Sequence, residues 1–292
     1  MPTLIMIIGG LIGAIFGVLL GTGMAAVAGL PLYGPVTTVF AALIGTGILP
    51  GIIPVVVHPI GMLFGAGLGL LALTIFVYAV AAIASIVGSA LTEMFARGMH
   101  IGLSAGANLV ILAAIPWLPP GFGPTVFLIL MIACIPAVAA NRFYQRVIGA
   151  LGWILPMNYL MLPLGVLLFL IAAPFALAAG GIAAIRWDWL TWTVETNGGL
   201  ILTTFGAPSS GFNIGNFTFI VTTPATFTFT SGLSAHETGH TLNNSAFGGF
   251  FYWIGAVDEN IAPLARGPAA NSEMLANDHF GGVGGPTITM WT

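Results

Sequence analysis

Histidines at 236 and 240, with a glutamate at 237, form an H-E-x-x-H pattern inside "SGLSAHETGHTLNNSAFGG", residues 231–249. On a helix, positions four apart share a face, so His236 and His240 can turn imidazole nitrogens toward one point. Glu237 then lies beside that point, suited to take a proton from water held there. Two zinc ligands and a general base are arranged in this way, and zinc brings the pKa of bound water towards about 7. The chain has only 4% charged residues and five histidines, so two histidines and a carboxylate within five positions is a concentration of chemistry. The competing reading is a helix whose two histidines hydrogen-bond within the fold.

A catalytic zinc takes three protein ligands and leaves one position open. Glu259 in "IGAVDEN" and Glu273 in "NSEMLAND" are the candidates for the third, with Asp258 and His279 behind them. The interval from His240 to Glu259 resembles that of the gluzincin metallopeptidases, in which a downstream glutamate completes the site. The E-x-x-A-N run at 273–277 resembles the E-x-x-A-D helix of membrane-associated gluzincins. There the glutamate binds zinc, and the acidic residue one turn later steadies a histidine. This chain has Asn277 at that last position, and an amide accepts an imidazole N–H more weakly than a carboxylate does. The wider stretch "HETGHTLNNSAFGGFFYWIGA" is similar to a set of uncharacterised bacterial membrane proteins. They carry H-E-x-G-H-T-x-Q, a Gly-rich apolar turn and a T-E-x-x-A-N segment; here Asn243 replaces the glutamine. That alignment favours Glu273 over Glu259. His279 has two readings, an oxyanion donor across the metal or a solvent-facing loop residue.

The resemblance implies a zinc-dependent metalloendopeptidase acting on peptide or membrane-protein substrates near a membrane surface. Zn2+ would be held by His236, His240 and either Glu273 or Glu259, with Glu237 and His279 as the catalytic residues. The alternative is a non-catalytic membrane subunit or scaffold of a larger membrane complex, with a structural metal site or none. A net charge of −3, no lysine and no basic cluster argue against nucleic-acid binding. A transporter would want ionisable groups within its spans.

The elements that would position these residues fall into two regions. Residues 1–184 carry only Glu93, Arg97, Arg142 and Arg146, a net +2, while 185–292 sum to −5. The chain is 58% apolar with a mean hydropathy of +1.06, and its apolar runs reach the ~20 residues that cross a bilayer as a helix. The expected fold is therefore an α-helical polytopic bundle over 1–184, followed by a small α+β extramembrane domain over 185–292 carrying the zincin-type helix. Apolar helices are expected at roughly 3–29, 36–57, 60–90, 101–118, 124–141 and 158–184. The segment 147–157 is too short to span alone, and the count is six or seven. The expected location is the bacterial inner membrane, with the lipid bilayer as partner; the side of the C-terminal domain stays open. Cys134 lies alone in an apolar run, so no disulfide framework exists. In the second region "GLILTTFG", "NFTFIVTT" and "ATFTFTSG" read as strands, and the tryptophans of "RWDWLTW" suit a membrane–water interface. The motif helix is expected to be capped by Ser234 and ended by Gly248, with a short helix at 271–278.

Overall fold

The computed structural model describes residues 4–18, 89–113, 119, 121–122, 125, 141–154, 158, 161–197, 211–220, 231–260 and 270–279. The chain divides into two compact units, essentially Met1–Leu130 and Met131–Met290.

In the first unit, helix α1 (Leu4–Val18) packs on helix α2 (Ser89–Ala113) through glycines spaced four apart. These are Gly9, Gly13 and Gly17 on one helix and Gly98, Gly102 and Gly106 on the other. A Cβ at any of the six would collide with backbone of the facing helix. Glycine at this spacing lets two helix backbones touch, which larger residues forbid. His100, buried in α2, lies within this unit; His58 lies outside the described residues.

The second unit begins with α3 (Arg142–Gly152). Asn141 caps it, its side-chain oxygen accepting from the backbone N–H of Phe143 (3.0 Å) and Tyr144 (3.2 Å). Gln145, Ile148, Gly149 and Gly152 form its buried stripe. This is the helical i, i+3, i+4, i+7 pattern, so the start of the segment 147–157, too short to span alone, belongs to an amphipathic helix lying on protein. Helix α4 (Met161–Gly180) follows and, through the 3-10 turn Gly181–Ala184, feeds a four-stranded sheet. The strands are β1 (Ile185–Asp188), β2 (Thr193–Asn197), β3 (Gly211–Ile214) and β4 (Phe217–Ile220), in the order β1-β2-β4-β3. β2 and β4 run parallel, with Val194 opposite Phe217; the two outer pairs are antiparallel.

The pleat sends alternate residues to opposite faces. On one face Val194, Phe212, Phe217 and Phe219 pack against Leu162, Leu168, Phe169 and Ala172 of α4. On the other lies the long helix α5 (Ser231–Asn260), broken at Gly248, whose φ of 78° is left-handed. Glycine adopts that conformation without the Cβ penalty. The expected stop at Gly248 is thus a break; helix resumes beyond it and runs to Asn260. Helix α6 (Asn271–His279) packs along α5 and matches the expected short helix within one residue at its end. Of the expected strands, only the "NFTFIVTT" run appears, as β4; the others fall on 198–210 and 221–230, outside the described residues. Trp187 of β1 and Trp189 and Trp192 of the β1–β2 turn meet edge to face, with ring centroids 5.7–6.0 Å apart.

The expectation of a bundle with six or seven spans is corrected here. Among the described residues one helix, Met161–Ala184, is long and apolar enough to cross a membrane. The integral-membrane, inner-membrane assignment falls with it, because a single apolar helix is also what the core of a globular domain provides. Three physical reasons explain the overcount. Over its described residues α1 is a shorter apolar helix, ~22 Å at 1.5 Å per residue against a ~30 Å hydrocarbon core. The first half of α2 carries Glu93, Arg97 and His100. α3 and α4 each turn a face to protein, not outward along their whole circumference. The runs at 36–57, at 60–88 and at 126–140 lie outside the described residues.

Polar residues, not apolar ones, fasten α5 to the sheet. Asn213 Nδ2 donates to Thr241 Oγ1 at 2.7 Å, Thr193 Oγ1 donates to the same oxygen at 3.0 Å, and Asn244 Nδ2 donates to Asn213 Oδ1 at 2.8 Å. At the start of the helix Ser234 does not cap. Its hydroxyl donates to Glu195 of β2, while Arg186 of β1 donates to Ser234 at 2.6 Å and to Glu195 at 2.6 and 3.0 Å. Glu195 is fully buried, and burial pushes its carboxyl pKa up against the pull of Ser234 and Arg186. Removing one partner of a buried pair leaves a buried charge uncompensated. Arg186→Met is therefore expected to destabilise the protein by about 2–3 kcal/mol, less than a fully buried pair because Arg186 is half exposed. Urea unfolding checks this, and an unchanged midpoint would reject it.

Candidate metal centre

Three side chains from two helices converge. His236 and His240 project from one face of α5, and Glu273 comes from the first turn of α6. Glu273 Oε2 lies 2.9 Å from His236 Nε2, its Oε1 lies 3.1 Å from His240 Nε2, and the two imidazole nitrogens are 3.2 Å apart. A tetrahedral ion with bonds of about 2.0–2.1 Å holds its ligand atoms ~3.3 Å apart. The two imidazole nitrogens and the two carboxylate oxygens thus meet at spacings close to those edges, one ligand atom from each residue lies within 4.8 Å of the others, and the group can hold a metal ion.

The neighbours fix the tautomer. His236 donates Nδ1–H to Asn277 Oδ1 at 2.9 Å, which leaves Nε2 with its lone pair toward the shared point. Asn243 ties the helices together, donating to the backbone carbonyl of Ser272 at 3.0 Å. Gly239, between the two histidines, lets α6 approach: a Cβ there would overlap the Ala276 carbonyl.

Glu237 lines the same cavity as the three ligands without belonging to their group, and is buried at 4% exposure. Burial raises its pKa to about 7 despite the nearby imidazoles, with Glu273 and Glu259 adding to the rise. A carboxylate tuned to that range is matched to proton transfer near neutrality. Gly211 on the edge strand β3 makes room for it, since a Cβ there would sit 2.7 Å from Glu237 Oε1. The group opens on a cavity of about 620 Å³, lined among others by Phe212, Leu233, Tyr252, Ala256 and Glu259. Burial, with the charges of Glu237, Glu259 and Glu273, pushes the Tyr252 phenol up to about 12, so it keeps its proton.

Of the carboxylates offered as third ligand, Glu273 joins the histidines and Glu259 does not: Glu259 lines the same cavity outside the three-ligand group. The side chains of Asp258 and His279 lie outside the described residues, and with them the proposed oxyanion role of His279. Tyr252 and Gly211 went unnoticed in the sequence. Tyr252 sits in the aromatic run "FGGFFYW", where nothing in the spacing distinguishes it from core.

Burial would lower the His236 pKa, but the hydrogen bond its ring donates to Glu273, the charge of Glu237 and the Asn277 contact outweigh it and raise the value to about 9. Burial would likewise raise the Glu273 carboxyl, yet hydrogen bonds with both histidines hold it well below the usual carboxylate range. In the metal-free protein a proton therefore shares the site, and a metal must displace it. The sign follows: protonation competes below the His236 pKa of about 9, so apparent metal affinity rises roughly tenfold per pH unit as pH climbs toward that value, then levels off. Calorimetric titrations with zinc in buffers of different ionisation enthalpy should detect close to one proton released per metal at pH 7. Release of none would contradict the assignment of the site proton.

The chain matches no protein-family profile, no curated protein and no solved structure.

Proposed function

We propose that this chain is a zinc-dependent metallopeptidase of gluzincin type, cleaving peptide bonds with activated water. One observation carries the reading: two imidazoles and a carboxylate converge beside a separate, buried carboxylate, and the set opens on a cavity large enough for a peptide segment. Two nitrogens and one oxygen suit zinc, which is normally held by three protein ligands in catalytic sites. When bound, zinc supplies Lewis acidity, lowering the pKa of water and polarising a substrate carbonyl.

The chain's own residues do the rest. His236, His240 and Glu273 hold and orient the ion, and Asn277 fixes the ring of His236. Glu237 accepts a proton from the attacking water and delivers it to the leaving amine. The phenol of Tyr252 keeps its proton and lines the wall of the cavity, so it offers a donor but no base. A purely structural metal would need no cavity and no spare buried carboxylate at its edge.

The test is elemental analysis of chelator-free protein beside a Glu273→Ala variant, followed by a peptide-cleavage assay. About one zinc per chain in the wild type and much less than one in Glu273→Ala is expected, together with zinc-dependent hydrolysis. No stoichiometric metal in the wild type would sink the proposal.

A further inference from the structure

The function proposed above leaves Glu259 unused. It stands on the second half of α5, beyond the break at Gly248, and lines the same cavity as the metal group. It is half-buried. Burial and the charge of Glu273 raise its carboxyl pKa, while His240, a hydrogen bond with Asn260 and His236 lower it. The two imidazoles are neutral when they ligate a metal, and the divalent ion then supplies the positive charge at that point in their place. No lysine or arginine is among the described residues lining the cavity.

The formal charges decide what the cavity wants. A divalent ion at the three-ligand point is offset by Glu273 and Glu237, and among the described lining residues Glu259 remains as one negative charge without a cation. A partly desolvated carboxylate without a cation is unfavourable, and a ligand that brings a cation relieves it. Phe212, Leu233 and Ala256 supply apolar wall around it, which lowers the local dielectric and strengthens any such pair.

We propose that Glu259 is a specificity residue that binds a primary amine of the substrate, so that the site selects peptides carrying an ammonium group close to the bond that reacts. The inference rests on the metallopeptidase reading for what the ligand is, and on the cavity alone for what charge it carries. The ammonium can come from a free N-terminus or from a lysine side chain; the chemistry at Glu259 is the same. Glu259 makes no bond to the metal and moves no proton in the reaction, so its effect falls on substrate affinity and hence on KM more than on kcat.

The experiment uses four metal-directed probes on the zinc-loaded full chain: lysine hydroxamate, norleucine hydroxamate, and the Nα-acetyl form of each. Binding is read by calorimetry and needs no turnover. At least one amine-bearing probe is expected to bind about tenfold tighter than Nα-acetylnorleucine hydroxamate, as a charge-assisted contact implies. Norleucine hydroxamate would report the N-terminal amine, and Nα-acetyllysine hydroxamate the side-chain amine. In Glu259→Gln the preference should vanish while zinc content stays that of the wild type. Equal affinities in the wild type, zinc-dependent binding by no probe, or a preference that survives Glu259→Gln would each overturn the assignment. A preference that holds while no peptide is cleaved would overturn the peptidase reading and leave this one standing.

Discussion

Glu237→Gln is expected to leave the zinc stoichiometry of the protein unchanged and to lower peptide hydrolysis by two to four orders of magnitude. The amide matches the carboxylate in size and fits the space beside Gly211, but it cannot accept a proton. General-base catalysis typically contributes ~10²–10⁴-fold, and among the described residues no other carboxylate is placed to substitute. Glu273 is engaged by both histidines at 2.9 and 3.1 Å, and Glu259 lies outside the three-ligand group. Removing a buried ionisable group should also stabilise the metal-free protein near neutral pH. The folded-state pKa of about 7 lies above the ordinary carboxylate value. The folded state therefore loses stability as pH rises from about 4.5 through 7 in the wild type, and that part of the loss is absent in the amide variant. The measurement is a single-turnover assay beside metal analysis. Retained hydrolysis with full zinc occupancy would remove Glu237 from the mechanism.

The second large effect is expected at a residue that touches neither metal nor substrate. Gly239→Ala places a methyl where the carbonyl of Ala276 already lies, and a backbone atom on a packed helix cannot rotate aside as a side chain would. Helix α6 must move outward by something like 1 Å, carrying Glu273 and Asn277 with it. Overpacking of this sort costs about 1–3 kcal/mol, and a displacement of that size at a reacting centre costs of order 10²-fold in rate. Apparent zinc affinity should fall at least tenfold, and the thermal transition of the metal-free protein should drop as well. Unchanged affinity would mean that α6 does not depend on the close contact at Gly239. The interior glycine of "HETGH" would then have to be explained otherwise.

These two residues show what the sequence could and could not reveal. The spacing of His236, Glu237 and His240 is local, and a helix turns local spacing into geometry, so the centre of the site was legible. Glu273 and Asn277 were singled out by the resemblance of the E-x-x-A-N run to a known metal-binding helix, not by any local spacing to the histidines. Glu259 stood second on that resemblance, and the packing of α6 on α5 brings Glu273, not Glu259, to the histidines. The bundle was misjudged because hydropathy records the absence of polar side chains and not what an apolar face meets. Ile148 and Leu162 are apolar and buried against protein. The threonines and asparagines that hold α5 down were invisible as a set. Thr193, Asn213 and the pair Thr241 and Asn244 lie far apart in the chain, and each alone reads as an ordinary polar residue. Their meeting depends on strand register and helix placement together, which no window of sequence contains.

That layer has a mechanical consequence. Apolar surfaces slide past one another with little change in energy, whereas a buried hydrogen bond is either made or broken. Seated on Thr193 and Asn213, α5 has discrete seats, as a key has notches. A shift of one residue would rotate both imidazoles ~100° away from Glu273 and would strand several buried amides and hydroxyls at the same time. The polar seam therefore works as an indexing device: it sets the angular position of the two histidines before any ion arrives.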